Sequence, residues 1–274
     1  MIFCKKKIEK KIWIFWYQGW NKAPELSKKC LESWIKLNPS WQVNKLSRDN
    51  IEDYLDLKSL DFDFDSKSPI SCTVDIINLN LLKKYGGVWI DSTVLCLKPL
   101  DSWIKKYLKK GFFAYKFNPI VNDDGNHRIL STWFLAANKD NYLINKWCEK
   151  YNIYWTLRDK PDNYFDFHYL FYKLYLKDKK FHKIFNQVPE KNSFFPHYFE
   201  EFKSKHIASD LKMKIINSND YEMAKFQNVL NSTNFKGASD IKKLHPNKYK
   251  NHQKETNLSG FDELYQFVID NYNY

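Results

Sequence analysis

The sequence predicts an α/β fold in which a mostly parallel sheet is flanked by helices and followed by a C-terminal helical portion. Apolar strand-like segments alternate with amphipathic helix-like segments near the start, an order typical of a parallel sheet covered by helices. The length of 274 residues suits one large α/β domain. Hydrophobic residues form 43% of the chain and aromatic residues 18%, which excludes a disordered protein and predicts a sizeable core.

The first four elements establish this alternation. Residues 12–17, IWIFWY, are apolar throughout, as expected for a strand buried on both faces. Pro24 stands where a helix begins, and that helix is predicted over residues 25–37. A second strand is predicted over residues 41–46 and a short helix over residues 51–55. Because the order is β-α-β-α, the two strands are expected to run parallel in one sheet.

A further helix and strand follow a polar, acidic loop. The helix is expected to begin near Ser71 or Thr73, both suitable N-caps. It is expected to end at Gly86 and Gly87, the first of which suits a left-handed cap. A strand over residues 88–90 then delivers a single carboxylate, Asp91, to the carboxyl edge of the sheet, where ligands bind in open α/β sheets.

This helix has an apolar face and a polar face. Asp75 and Asn78 lie three residues apart on the polar face, so their side chains are expected to meet one target. The apolar face is predicted to consist of Val74, Ile77, Leu81 and Tyr85.

The second part of the chain has a looser pattern. Strands are predicted over residues 112–117 and 132–137, separated by the turn-rich VNDDGNHR. Helices are predicted over residues 141–154 and 164–180, the second densely aromatic. No internal repeat or interdomain linker interrupts the chain, so we expect one domain with a C-terminal helical portion.

Several functional classes are excluded by what the sequence lacks. Only seven glycines occur, with neither GxGxxG nor GxxxxGK[ST], which argues against a Rossmann dehydrogenase or a P-loop enzyme. The five cysteines include no CxxC pair, which argues against a disulfide framework and a thiolate zinc site. We find no signal peptide and no apolar run near the roughly 20 residues that span a bilayer. The expected location is the cytoplasm, with only peripheral attachment to a membrane.

The net charge of +12 suits nucleic acid, an anionic membrane surface or phosphorylated small molecules, although many of the lysines simply solvate the surface. The most basic stretch, residues 236–254, mixes six lysines with His245, Tyr249 and His252. It is either a polyphosphate or lipid-headgroup contact or a loose basic segment.

Three segments of the first 100 residues resemble one family. They are IWIFWYQGW, LESWIKLNPSWQV and TVDIINLNLLKKYGGVWIDSTV. The chain is similar in these segments to the bacterial capsular polysaccharide synthesis glycosyltransferases, which are related to the DXD-containing sugar transferases of glycosyltransferase family 32 and the glucosylating clostridial toxins. The last segment is the most specific, because helix, double glycine, strand and acidic turn occur in the family's order. Later segments, WFLAANKDN and YFDFHYLF, are similar in character only.

The resemblance implies a GT-A fold, a nucleoside-diphosphate-sugar donor, and a polysaccharide or lipid-linked glycan acceptor in bacterial capsule or surface polysaccharide synthesis. It also implies transfer with retention of anomeric configuration. Residues 1–274 would form one transferase domain, with a donor-binding half over residues 1–110 and an acceptor-binding half over residues 111–274.

The resemblance also implies roles for individual residues. Trp16 matches a strand-end Trp that stacks on the nucleotide base, Asp75 an acidic residue that contacts the donor sugar, and Asp91 the first carboxylate of the DXD element. Asp75 and Asp91 are thus the expected catalytic residues. The expected donor-binding set is Trp16, Asp75, Asn78, Trp89, Asp91, Ser92 and Thr93.

Two positions depart from the family's pattern. Asn78 stands where relatives place an Arg, and it cannot pair with a phosphate by charge. The second DXD carboxylate is here Thr93, so the element reads Asp-Ser-Thr. A neutral hydroxyl is a poor ligand for Mg²⁺ or Mn²⁺, which prefer carboxylate, water and phosphate oxygens.

The expected cofactor is nevertheless a divalent metal, Mn²⁺ or Mg²⁺, held by Asp91 with waters. His245 is a candidate to complete its shell, and Lys242 and Lys243 are candidates to replace the ion. The candidate acceptor residues are Trp133, Asp166 and His168.

Two other classes of function stay open at this point. A nucleic-acid-binding protein would explain the charge and the many aromatic residues, but the aromatic residues fall in apolar runs instead of alternating with lysines. No nucleic-acid partner is therefore expected. A transferase relative that lost activity with the changes at Asn78 and Thr93 would instead act as a scaffold in glycan assembly.

Overall fold

A five-stranded mixed sheet lies at the centre of the molecule, with the strand order β2-β1-β3-β6-β5. The computed structural model describes residues 8–60, 62, 64, 69–218, 221–226 and 257–272. Strands β1, β2 and β3 run parallel, whereas β6 pairs antiparallel with both β3 and β5. A separate two-stranded sheet pairs β4 with β7. The strands are β1 Lys11–Phe15, β2 Gln42–Leu46, β3 Gly87–Ile90, β4 Val94–Cys96, β5 Phe112–Asp123, β6 Asn126–Ala137 and β7 Met223–Lys225.

Helices flank this sheet, which confirms the predicted fold class. Helix α1 packs on β4, α2 on α4, and α5 on β6. The described α-helices are α1 Glu25–Leu37, α2 Ile70–Tyr85, α3 Ile104–Tyr107, α4 Tyr142–Thr156, α5 Asp166–Lys177, α6 Lys179–Asn186, α7 Phe194–Tyr198, α8 Ser209–Asn217 and α9 Ser259–Tyr272. Short 3-10 helices cover Trp20–Lys22, Ile51–Asp53, Leu57–Leu60, Leu100–Ser102 and Phe199–Phe202. None of the described helices is long and apolar enough to cross a membrane.

The core is built on the two central parallel strands. All four residues of β3 are buried, as are four of the five residues of β1, so both strands are covered on both faces. The indole N–H of Trp13 in β1 donates to the carbonyl of Gly86 at 2.9 Å, which satisfies a polar group inside this core.

The double glycine between α2 and β3 is required by backbone geometry. Gly86 has a φ of +66° and Gly87 a φ of +97°, a region that other residues rarely adopt. A Cβ on Gly86 would lie 2.5 Å from the backbone nitrogen of Lys139, and one on Gly87 would lie 2.5 Å from the carbonyl oxygen of Lys11. The glycines therefore allow the chain to leave α2 and enter the sheet directly beside β1.

Strand β7 brings a distant part of the chain against the end of β3. Its register pairs Lys225 with Val94 and Met223 with Cys96. The preceding residue, Glu222, is buried and forms an ion pair with Lys191. Its carbonyl also accepts hydrogen bonds from the backbone nitrogens of residues 97 and 98 at 3.0 and 3.2 Å. These contacts fix β7 against the turn that follows β3.

Most of the predicted elements are present, with changed bounds. The strand predicted over residues 12–17 is Lys11–Phe15, and the short helix predicted over residues 51–55 is a 3-10 helix over Ile51–Asp53. The helix over residues 25–37 is confirmed as α1. Helix α2 begins earlier than predicted, because its N-cap is Pro69, which leaves Ser71 and Thr73 inside the first turn. The helix predicted over residues 164–180 is divided into α5 and α6, because the Asp178 side chain caps a new helix start. The two predicted later strands form a longer hairpin, β5–β6.

Candidate active site

A cavity of about 300 Å³ lies at the carboxyl ends of β1 and β3. Trp16 follows β1 directly, and Asp91 follows β3 directly. Because these two strands are parallel neighbours, their ends open on the same edge of the sheet. The cavity is lined by Phe15, Trp16, Tyr17, Gln18, Pro69, Ile70, Ser71, Val74, Asp75, Trp89, Asp91, Ser92, Thr93, Thr132, Tyr164 and His168.

Asp91 is held by its backbone in the turn between β3 and β4. Its N–H donates to the carbonyl oxygen of Trp133 at 2.9 Å, and its own carbonyl accepts from the Val94 N–H at 3.1 Å. The side chain keeps 34% of its area exposed, so the carboxylate is accessible from the cavity. The sequence prediction that Asp91 stands at a ligand-binding edge agrees with this position.

Lys225 is a residue that sequence reasoning missed. Its Nζ lies 3.2 Å from Asp91 Oδ2 and 2.5 Å from Thr93 Oγ1, so the ammonium contacts the first and third residues of Asp-Ser-Thr. The segment around it, YEMAKF, carries no recognisable motif. Only the pairing of β7 with β4, across about 130 positions, could have revealed this contact.

Asp75 projects into the same cavity from α2. Its carboxylate has no hydrogen bond or ion pair with any other residue in the described part of the chain. Burial raises the pKa of Asp75 well above its usual value, and the nearby charge of Asp91 raises it further. Asp75 therefore keeps a proton at a higher pH than an ordinary Asp and can donate a hydrogen bond in that form.

One wall of the cavity is aromatic. Trp16 is 8% exposed, and its indole N–H is buried without a hydrogen-bond acceptor among the described residues. Trp89 lies in β3 and also lines the cavity. An aromatic face beside a carboxylate suits a ligand with one flat ring and one polar end.

A second wall comes from β6, which lies on the side of β3 away from β1, and from the start of α5. It contains Thr132, Tyr164 and His168. Burial, together with the positive charge of Arg128, lowers the pKa of His168 to about 3, while Asp123 acts in the opposite direction. His168 is therefore neutral near pH 7, with a buried Nδ1 that has no partner within the described residues.

Three predicted site residues lie outside the cavity lining. Asn78 was expected to contact the same ligand as Asp75, and the position of its side chain shows that this expectation is wrong. Helix α2 is buried around most of its circumference, and Asn78, only 1% exposed, points into the protein interior.

Trp133 is buried and stacks on Tyr115 with ring centroids 4.9 Å apart, although its carbonyl holds Asp91. Asp166 accepts hydrogen bonds from the Tyr154 hydroxyl at 2.7 Å and from the backbone of residue 163 at 2.6 Å.

The other predicted members lie where expected or cannot be placed. Ser92 and Thr93 line the cavity beside Asp91, and His168 lines it from the second wall. His245, Lys242 and Lys243 fall outside the described residues.

The donor set in the described part of the chain does not fit a preformed divalent-metal site. No group of three His, Cys, Asp or Glu side chains comes together there. Asp91 is the carboxylate of the Asp-Ser-Thr turn, and one of its oxygens already contacts an ammonium. The metal expected from the sequence stays a prediction.

The chain is similar to part of several proteins named as glycosyltransferases. It is 26% identical over 166 residues to the O-glycosyltransferase braB of Annulohypoxylon truncatum, covering 54% of this chain and 38% of that one. It is 26% identical over 156 residues to the glycosyltransferase afumC of Aspergillus fumigatus, covering 53% and 40%. It is also 26% identical over 171 residues to the O-glycosyltransferase PaGT of Phomopsis amygdali, covering 56% and 41%. The chain thus spans about two fifths of the length of these relatives.

A solved structure and a family profile complete the comparison. The structure of the PaToxG glycosyltransferase matches with a TM-score of 0.41 and 16% identity, over 65% of this chain and 72% of that one. The profile described as "Capsular polysaccharide synthesis protein" matches residues 3–250, which is most of the chain. The chain belongs to the capsular polysaccharide synthesis protein family.

Proposed function

We propose that the protein is a glycosyltransferase that moves a sugar from a nucleoside-diphosphate sugar to a hydroxyl group of a glycan acceptor. The observation that carries this proposal is the meeting of Trp16, Asp75 and Asp91 at one cavity on the carboxyl edge of the sheet. Family membership and the transferase names of the relatives support it.

The proposed roles follow from what each side chain offers. Trp16 lines the cavity and would stack on the nucleotide base. Asp91 stands at the strand end, where the diphosphate and the anomeric carbon of the donor would lie. Asp75, next to it, would contact the sugar hydroxyls.

The reaction exchanges one bond at the anomeric carbon. The bond to the β-phosphate oxygen breaks, and its electron pair leaves with the nucleoside diphosphate. A bond forms from the acceptor oxygen to the anomeric carbon, and the acceptor hydroxyl loses its proton. In its ionised form Asp75 is suited to take that proton, because the raised pKa makes its carboxylate a stronger base than that of an ordinary Asp.

We further propose that the acceptor enters past Thr132, Tyr164 and His168, since these residues line the cavity from β6 and the start of α5, and β3 separates β6 from the strand that precedes Trp16. The donor half would then be residues 1–110 and the acceptor half residues 111–274, with β7 as an exception that returns to the donor side. A polysaccharide or lipid-linked acceptor in surface polysaccharide synthesis, retention of configuration and contact with an anionic membrane belong to the same proposal. Family membership supports the first of these.

A thermal-shift panel of nucleotide sugars, with and without Mn²⁺, tests the donor assignment. We expect at least one nucleoside-diphosphate sugar to raise the Tm, because a ligand that binds only the folded state stabilises it. Trp16→Leu should weaken that binding about tenfold or more, the usual scale for a lost base-stacking contact. Trp20→Leu is the matched control, since Trp20 lies four residues further on and its indole N–H donates to the Leu46 carbonyl outside the cavity lining.

Three outcomes would contradict the proposal. No Tm shift with any nucleotide sugar would remove the donor assignment, and equal losses in the two Trp variants would remove the role of Trp16. Salt-sensitive binding of single-stranded oligonucleotides without nucleotide-sugar binding would instead favour a nucleic-acid-binding protein.

A further inference from the structure

We propose that Lys225 is the cation that binds the diphosphate of the donor, in the position where the resemblance calls for a divalent metal. The inference rests on the proposed function, because it concerns the same donor. Its basis is the contact of the Lys225 ammonium with Asp91 Oδ2 at 3.2 Å and Thr93 Oγ1 at 2.5 Å.

The ammonium has one donor left for a ligand. A Lys side chain carries three N–H donors, and the carboxylate of Asp91 and the hydroxyl of Thr93 accept two of them. Lys225 has no further hydrogen-bond partner among the described residues. Lys225 does not itself line the cavity, but its side chain is 12% exposed and contacts two residues that do, so a diphosphate bound against Thr93 would lie next to the ammonium.

The position of Lys225 is fixed before any ligand arrives. Its strand is held by antiparallel pairing to β4, and the N–H of Phe226 donates to the Thr93 carbonyl at 2.9 Å. On the other side, the buried carboxylate of Glu222 pairs with Lys191 and accepts from the Tyr115 hydroxyl. A charge held in advance stabilises developing negative charge without reorganisation, which is the arrangement that favours departure of a leaving group.

The substitution of Thr93 for a carboxylate is consistent with this role. A Thr hydroxyl is a weak ligand for a hard dication, but it accepts a hydrogen bond from an ammonium well. With one carboxylate, Asp91, the turn balances one ammonium in charge. A dication placed on Asp91 would lie close to Lys225 and be repelled by it. Asp-Ser-Thr and Lys225 therefore form a matched set.

The test measures binding of UDP, GDP and inorganic pyrophosphate by calorimetry, in EDTA and in Mn²⁺. We expect at least one nucleoside diphosphate to bind the wild-type protein in EDTA, and Mn²⁺ to change its affinity less than about threefold. Lys225→Met keeps the length of the side chain and removes its charge. It should weaken binding in EDTA about 10- to 100-fold, the scale of a lost charged hydrogen bond.

A second signature is specific to a replaced cation. In Lys225→Met, Asp91 loses its ammonium partner, so Mn²⁺ should restore part of the lost nucleotide affinity. Lys225→Arg should retain binding in EDTA. Lys212→Met is the matched control, because Lys212 also forms an ion pair, with Glu263, at a place that does not line the cavity. It should bind nucleotides as the wild type does.

The outcomes separate this inference from the proposed function. Nucleotide binding that occurs only with Mn²⁺ would overturn the role of Lys225 and leave the transferase proposal standing. The same conclusion would follow if Lys225→Met bound normally in EDTA. No nucleotide binding under either condition would overturn both proposals. Should Lys225→Met fail to fold by circular dichroism, the wild-type comparison of EDTA with Mn²⁺ decides the question alone.

Discussion

The two walls of the cavity are built in different ways. The wall with Trp16 and Asp91 consists of residues that directly follow parallel strands, so each position is determined within a few residues of its strand. The wall with His168 comes from an antiparallel hairpin and the first turn of a helix. Lys225 reaches the first wall from the far end of the chain, on a strand pair outside the main sheet.

The difference shows where the chemistry of such a site can vary. Strand ends hold Asp91 in one place, since both its N–H and its carbonyl are engaged in the turn. A strand from a later part of the chain, such as β7, can bring a further charged side chain next to Asp91 without changing the main sheet.

The largest effect is expected for Asp91→Asn. The amide keeps the size of the side chain and the backbone bonds of the turn, but it removes the charge that faces the donor and balances Lys225. We expect a loss of about 10²- to 10³-fold in kcat, the scale of a lost electrostatic contact at a reacting centre. Turnover with the donor found by the thermal-shift panel measures it.

Asp101→Asn is a suitable control for this change. Asp101 is an accessible carboxylate that also contacts a lysine, Lys10, but it does not line the cavity. Its substitution should leave turnover within about twofold of wild type, because exposed ion pairs contribute little. Near-normal turnover of Asp91→Asn with a native circular dichroism spectrum would show that Asp91 is not at the reacting centre.

The two walls also differ in how well their residues could be predicted from the sequence. The strand-end position of Asp91 could be predicted, because the pattern of helix, double glycine and strand before it is local. The roles expected for Trp16 and Asp75 came from the resemblance to the family and stay predictions. Asn78 was misplaced because periodicity gives the angle of a side chain around a helix, not which faces of that helix are covered. Helix α2 is covered on most sides, so an amide three residues from Asp75 became interior.

Lys225 could not be predicted from its neighbourhood in the sequence. Its position depends on the register of β7 against β4 and on the buried pair of Glu222 with Lys191. A strand pairing between residues so far apart in the chain produces no periodic pattern in the sequence that could reveal it. The overall α/β class was predictable, since alternation of strands and helices needs only local patterns.

A smaller effect, on stability, is expected for Asp75→Asn. The pKa of Asp75 is raised in the folded state, so the folded protein holds a proton that the unfolded chain releases at lower pH. Stability of the wild type should therefore fall, as pH rises above about 4, by up to about 1.4 kcal/mol per pH unit, until the folded carboxyl ionises. The asparagine variant lacks this loss.

Urea unfolding of both proteins between pH 4 and pH 8 measures the difference. The free energy of unfolding of Asp75→Asn should exceed that of the wild type increasingly with pH and then by a constant amount. A difference that does not change with pH would mean that the pKa of Asp75 is the same in both states. An opposite sign would mean that a cation stabilises its charged form.

The smallest effect on transfer is expected for His168→Gln, on the second wall. His168 is neutral near pH 7 because burial and Arg128 lower its pKa to about 3, so it adds no charge to the reaction. We expect kcat within about threefold of wild type and a similarly small rise in the acceptor KM, since one neutral hydrogen bond contributes about 1 kcal/mol. A loss as large as that of Asp91→Asn would place His168 at the reacting centre.

His168→Gln should change the stability of the protein at acidic pH more clearly than it changes sugar transfer. Between pH 6.5 and pH 3 the unfolded chain binds a proton at this position and the folded protein does not, so stability falls as the pH falls through that range. Gln has no such proton, so His168→Gln should lose less stability than the wild type on acidification. His182→Gln, at an exposed position of α6 that does not line the cavity, is the control for loss of an imidazole elsewhere in the chain. If wild type and His168→Gln lost the same stability on acidification, His168 would have the same pKa in the folded protein as in the unfolded chain.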